Sequence, residues 1–117
     1  MKRAFGIVSA AVTLSAAAIV AAPPASASTA DRNSCISALS VCVWQNTNYE
    51  GNRFAASGNW TGGCANSLTL GHSVANGRTF DVRYYSKDNC TGSYFDIGAH
   101  DYSSSTPFAV HSFRAVL

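Results

Sequence analysis

Two stretches of this chain repeat the same spacing of landmarks, and that spacing restricts the fold more than any other feature. Trp44, four residues, Tyr49, one residue, Gly51 is answered by Tyr85, four residues, Cys90, one residue, Gly92. The triplet His72-Ser73-Val74 follows the first glycine and His111-Ser112-Phe113 the second, each after about twenty residues. Two halves with one order of landmarks point to an internal duplication. A hairpin folded back over its own sheet needs an aromatic beneath it, a glycine where φ turns positive, and a hydroxyl that satisfies a buried backbone amide. Trp44, Tyr49, Gly51 and Ser73 fill these roles in the first copy, and Tyr85, Gly92 and Ser112 in the second. Cys90 stands where the second aromatic would be, so the second hairpin is expected to be pinned by a disulfide instead.

The rest of the chain agrees with a strand-rich fold. Short apolar-aromatic or alternating segments are separated by Gly, Asn, Asp and Ser every eight to twelve residues or so, the pattern of a sandwich. Residues 39–44 put Val41 and Val43 on one face and Cys42 and Trp44 on the other. Residues 53–57 follow a glycine turn, and residues 67–70 are read as a strand with Leu68 and Leu70 inward. Residues 80–84 alternate Phe80, Val82 and Tyr84 against Asp81 and Arg83, with Tyr85 continuing the second face. Residues 93–97 and 108–117 complete the expected strands.

The N-terminus is read as an export signal. Lys2 and Arg3 precede an uncharged apolar run over residues 4–22, Pro23 and Pro24 stop it, and Ala25-Ser26-Ala27 is a small-x-small cleavage site. The run is nearly long enough to span a bilayer, but it ends in a cleavage motif and not in a basic stop-transfer flank. The expected organisation is therefore a signal peptide over residues 1–27, a flexible leader over 28–34 and one domain over 35–117. Without Lys2 and Arg3 the eight basic residues fall to six, equal to the six acidic ones. Neutral and scattered charge excludes a nucleic-acid binder or a partner for anionic membranes.

A domain this small buries a limited fraction of its surface and gains from covalent staples. Cys35, Cys42, Cys64 and Cys90 all follow the cleavage site, where an oxidising exterior favours disulfides. Four cysteines allow three pairings. A short Cys35–Cys42 loop with a long Cys64–Cys90 link between the halves is preferred. A zinc site is disfavoured by the lack of any C-x-x-C or paired histidine spacing.

The duplicated spacing resembles the βγ-crystallin Greek key, which implies an all-β, two-sheet Greek-key sandwich of two repeated motifs. A wider resemblance covers nearly all of the exported part. Ser34-Cys35, Cys42-Val43-Trp44 and the run Ser73-Val74-Ala75-Asn76-Gly77-Arg78-Thr79-Phe80-Asp81-Val82-Arg83-Tyr84 are similar to the Streptomyces metalloproteinase inhibitor family. That resemblance implies a secreted, monomeric, single-domain inhibitor whose partner is a secreted protease, of the thermolysin-like zinc class for the type member. In that family the segment entering the protease follows the Arg-Tyr strand and is closed by a small local disulfide. Here the corresponding residues are Asn89, Cys90, Thr91, Gly92, Ser93, Tyr94 and Phe95, with Cys90 in place but no local partner, so Cys64 is the expected substitute.

Other chemistry finds little footing. His100-Asp101 with Ser103, Ser104 and Ser105 invites a catalytic triad, but neighbours on an extended chain point in opposite directions. His72 and His111 beside the motif serines suit packing or hydrogen bonding. Calcium in crystallin-type motifs needs oxygen ligands shortly before each motif serine. Residues 68–72 and 107–111 hold no carboxylate there. No catalytic residue, metal or cofactor is expected. The turn of Asn46, Thr47, Asn48 and Tyr49, read as exposed, and the loop over residues 102–106 are candidate surfaces for sugars or proteins. Because a fold alone does not choose a function, the alternative to inhibition is a crystallin-like antimicrobial toxin or cell-surface binding module.

Overall fold

In a computed structural model, which describes residues 23–117, the duplicated halves form two four-stranded antiparallel sheets. Of the signal peptide expected over residues 1–27, residues 1–22 lie outside the described residues. The strands in chain order are β1 (Val41–Trp44), β2 (Arg53–Ala56), β3 (Ala65–Gly71), β4 (Ser73–Asn76), β5 (Asp81–Lys87), β6 (Thr91–Ile97), β7 (Tyr102–Ser103) and β8 (Val110–Val116). The first sheet runs β2-β1-β4-β7 and the second β3-β8-β5-β6. Each half therefore places its third strand in the other half's sheet: β3 pairs with β8, and β7 with β4.

Between the sheets lies a core of Val41, Val43, Val74, Val82, Tyr84, Val110 and Phe113, all fully buried. Branched and aromatic side chains suit this pleated interior. Burial without charge partners raises the Tyr84 hydroxyl well above the ordinary tyrosine range. Asn76 is the largest of the fully buried polar residues. Its amide donates to the carbonyls of Phe80 (2.8 Å), Ile97 (3.2 Å) and Gly98 (3.0 Å), and its Oδ1 accepts from Arg78 N (2.9 Å). A fully satisfied buried amide fixes the β4–β5 connection against the end of β6.

The alternation expected in β1 is present, but both of its faces are buried. Val41 and Val43 enter the inter-sheet core, while Cys42 and Trp44 join Cys35, Tyr49 and Ala75 in a second cluster on the outer face. That face is covered by α1 (Pro23–Ser37).

Residues 28–34, expected as a flexible leader, lie inside α1 and are corrected to helix. The segment lacks an apolar stripe, so periodicity gives no warning of it. It is seated instead by polar and cation–π contacts. Asp31 Oδ2 accepts from Trp44 Nε1 (2.6 Å), Asp31 Oδ1 accepts from Arg53 (2.9 Å), and the Arg32 guanidinium lies 4.0 Å from the Tyr102 ring centre. Leu39, at φ 57°, ends the helix in the left-handed conformation. The Cys35–Cys42 disulfide then ties it to β1.

A second correction concerns β3. Leu68 and Leu70, expected inward, point to solvent at 90% and 50% exposure. Ser67 and Thr69 take the half-buried positions, and Gly71 is buried. A steric reason is visible at the end of the strand: a side chain at Gly71 would run into Val43 of the facing sheet, so the inward row closes on a residue without one.

Candidate functional site

The two folded hairpins share one construction. In the first, Asn48, Tyr49 and Gly51 have φ of 59°, 61° and 84°; in the second, Asn89, Cys90 and Gly92 have 61°, 57° and 87°. Gly51 and Gly92 are needed at this turn because an added Cβ would crowd Asn46 in one and Ser86 in the other, besides straining the backbone. Ser73 Oγ accepts from Tyr49 N (2.9 Å) and donates to Asn46 O (2.7 Å). Ser112 Oγ accepts from Cys90 N (2.9 Å) and donates to Lys87 O. Each motif serine thus satisfies both a donor and an acceptor of its hairpin, as the repeat requires.

Replacing Ser112 with Ala strips partners from two backbone groups at once. We expect a loss of about 1–3 kcal/mol, with Ser73→Ala behaving alike. Denaturant midpoints measure it, and a Ser112→Ala protein melting with the wild type would contradict the role.

Beneath the first hairpin, Trp44 meets Tyr49 edge-on, with ring centres 5.2 Å apart. Tyr49, read as part of an exposed turn, is corrected to buried at 7% exposure, and burial is the main reason its hydroxyl titrates high. The turn and the 102–106 loop meet: Asn48 N donates to Ser104 O (2.9 Å), and the Tyr49 and Tyr102 rings are 6.1 Å apart. The chain's own Arg32 occupies that aromatic surface.

The second hairpin is held differently. Tyr85 is buried, but Arg114 Nε donates to its hydroxyl (2.7 Å) and Tyr94 lies beside its ring. A disulfide joins Cys90 to Cys64, the long link preferred from the sequence. Asn66, given no role by the sequence, braces the tip. Its Oδ1 accepts from Asn89 N (2.7 Å) and its Nδ2 donates to Asn89 Oδ1 (3.1 Å). Thr91 Oγ1 donates to Asp88 O (2.7 Å), and Ser93 N donates to Ser86 Oγ (2.9 Å). Asp88, Asn89, Thr91, Gly92 and Ser93 nonetheless remain exposed. The result is a cross-braced but accessible turn. Only its place two residues from a bridged cysteine could have singled out Asn66.

The seven candidate residues do not form one loop. Asn89 and Cys90 make the turn, while Thr91 to Phe95 belong to β6, an edge strand paired with β5. Phe95 packs inward on Tyr84 and Phe108, with ring centres 5.3 Å away in each case. Tyr94 is 54% exposed and lies under the Arg83 guanidinium at 4.0 Å. Arg83 also makes a two-pronged ion pair with Asp96 (2.8 and 3.1 Å), which holds that carboxyl below its usual range.

The histidines serve local bonding. Nδ1 lies 2.7 Å from Gln45 O in His72 and 3.0 Å from Ala109 O in His111. Asp101 Oδ1 accepts from Tyr102 N (2.8 Å) at a turn where His100 has φ 58°. Among the described residues no three His, Cys, Asp or Glu side chains gather as a metal site would need.

A family model described as peptidase inhibitor family I36 matches residues 28–97. In structure the chain is similar to one from work on the evolution of the eye lens βγ-crystallin domain fold, at 13% identity and TM-score 0.54, covering 67% of this chain and 85% of that one. It is similar to a βγ-crystallin from an archaeon at 26% identity and TM-score 0.51, covering 66% and 96%. IPSE/alpha-1 from Schistosoma mansoni eggs aligns at 14% identity and TM-score 0.50, over 68% and 87%. Comparison with curated proteins finds no match. The sandwich has the βγ-crystallin fold.

Proposed function

We propose, from the premise that the chain belongs to peptidase inhibitor family I36, the Streptomyces metalloproteinase inhibitor family, that it blocks thermolysin-like zinc proteases with its second hairpin. Membership makes it a peptidase inhibitor and not an enzyme, with a protease as partner. Its two disulfides suit an extracellular setting. No helix among the described residues is long and apolar enough to cross a membrane.

The observation that carries the reading is the turn at Asn89 and the half-buried Cys90, which leaves Asn89 exposed yet is tied by the Cys64 disulfide, the Asn66 amide and Ser112. A segment already held in one conformation loses little entropy on docking, so a short contact can bind tightly. The same bracing opposes the rearrangement that turnover of a bound segment would demand. The far tether replaces the small local disulfide that the family resemblance implies. In this reading Asn89, Cys90, Thr91, Gly92 and Ser93 enter the cleft, and Tyr94 and Phe95 anchor the segment in the sheet. The protein acts as a monomer exported by residues 1–27, and the family match beginning at residue 28 supports cleavage after Ala27.

Titration of thermolysin and a panel of other zinc and serine proteases with purified secreted protein tests this. We expect near-stoichiometric loss of zinc-protease activity and an intact mass that begins at Ser28. Full activity across the whole panel would rule the proposal out.

A further inference from the structure

The brace on the second hairpin leads directly to an unusual stretch of β3. The strand is the outer one of its sheet, and it pairs with β8 at Ala65, Asn66 and Gly71 with a register shift between Asn66 and Gly71. Ser67 Oγ holds the intervening backbone locally, donating to Thr69 O and accepting from Thr69 N (3.2 Å). Asn66, Leu68 and Leu70 form the exposed row of the strand. At its head Asn66 grips Asn89, and the Cys64–Cys90 disulfide ties the approach to β3 to the same turn. The hairpin tip and the leucine row are thus one continuous, covalently joined surface.

Leu68 stands out within that surface. It is 90% exposed in the interior of the chain, on an element whose backbone is fixed at both ends. The hairpin's exposed residues Asp88, Asn89, Thr91, Gly92 and Ser93 offer polar and main-chain groups but no large apolar side chain. Tyr94, the nearby aromatic, is already engaged by Arg83. Tight association needs a few desolvated apolar anchors, and polar groups at the centre mainly set orientation. An exposed sheet edge with side chains at alternate positions is also a form in which extended segments are recognised, by main-chain pairing and alternate pockets.

We propose that Leu68 is the apolar anchor of the inhibitory surface, entering an apolar pocket beside the cleft of the target protease while the hairpin occupies the cleft itself. The occupant of this edge is the protease, because the row is continuous with the braced turn and the family's partner is a protease. The inference rests on the inhibitory reading of the hairpin and adds a second, specificity-setting contact to it. Proteases with a deep apolar pocket at that distance are favoured, and those presenting a charged surface there are refused.

The experiment compares the wild type with Leu68→Ala and Leu68→Asp in inhibition of thermolysin and of each zinc protease that the wild type titrates. A side chain so exposed contributes little to folding, so thermal midpoints should be unchanged. Burying a leucine corresponds to a factor of about 10–100 in binding. We expect the inhibition constant of Leu68→Ala to rise by about that factor and that of Leu68→Asp to rise further. Wild-type inhibition matched by both variants would overturn the anchor and leave the hairpin reading standing. A wild type inert on every protease would overturn both. If sedimentation shows self-association abolished by Leu68→Asp while inhibition is unaltered, the edge binds a second copy of the chain and the anchor is again overturned.

Discussion

Replacing Cys64 and Cys90 together with serine is expected to lower folding stability by about 3.5 kcal/mol and to abolish most of the inhibitory activity. The bridge closes a sequence separation of 26 residues, and cross-linking removes loop-closure entropy from the unfolded chain in proportion to the logarithm of that length. For a domain of this size such a loss lowers the melting point by roughly 15–25 °C. The Cys35–Cys42 bridge spans only 7 residues, for which the same relation gives about 2.4 kcal/mol. The long bridge therefore dominates. It also fixes the turn at Asn89, so activity should fall even at temperatures where the double variant stays folded. Denaturant titration with inhibition assays well below the midpoint separates the effects. A double variant as stable as the wild type, or one that inhibits equally well when folded, would refute the tether in its respective role.

Trp44→Ala should be comparably damaging, at about 3–5 kcal/mol. Trp44 is fully buried, meets the Tyr49 ring edge-on and donates its Nε1 to Asp31. Its loss opens a cavity between β1 and α1 and releases one of the helix's few fixed points. Trp44→Phe keeps much of the volume and removes only the bond to Asp31, which retains Arg53. It is expected to cost about 1–2 kcal/mol. Amide hydrogen exchange in α1 should quicken in both variants, and strongly in Trp44→Ala. Wild-type protection in Trp44→Ala would show that the helix is held by other means.

These residues also mark how far the sequence could be read. The repeat was legible because its parts answer local demands of the backbone. Only glycine tolerates the conformation and crowding at Gly51 and Gly92, and only a side chain able both to donate and to accept could serve as Ser73 and Ser112 do. Period-two alternation in β1 and β5 was legible for the same reason. The direction of β3 was not, because alternation separates two faces without saying which is inside. The answer lay in Val43, distant in sequence, which leaves no room for a side chain at Gly71. The helix was hidden because Asp31 and Arg32 dock through polar and cation–π contacts that leave no hydrophobic period. Asn66 is hidden in the sequence because nothing beside it requires an amide there; its partner Asn89 lies 23 residues on.

The exchange of β3 and β7 has a consequence for how such a chain can exist at all. Cut in the link between β4 and β5, it would leave two pieces that each still lend a strand to the other's sheet and stay joined through the Cys64–Cys90 disulfide. The tandem copies are an obligate couple, clasped like two hands. A solitary copy would complete its sandwich only by borrowing that strand from another molecule.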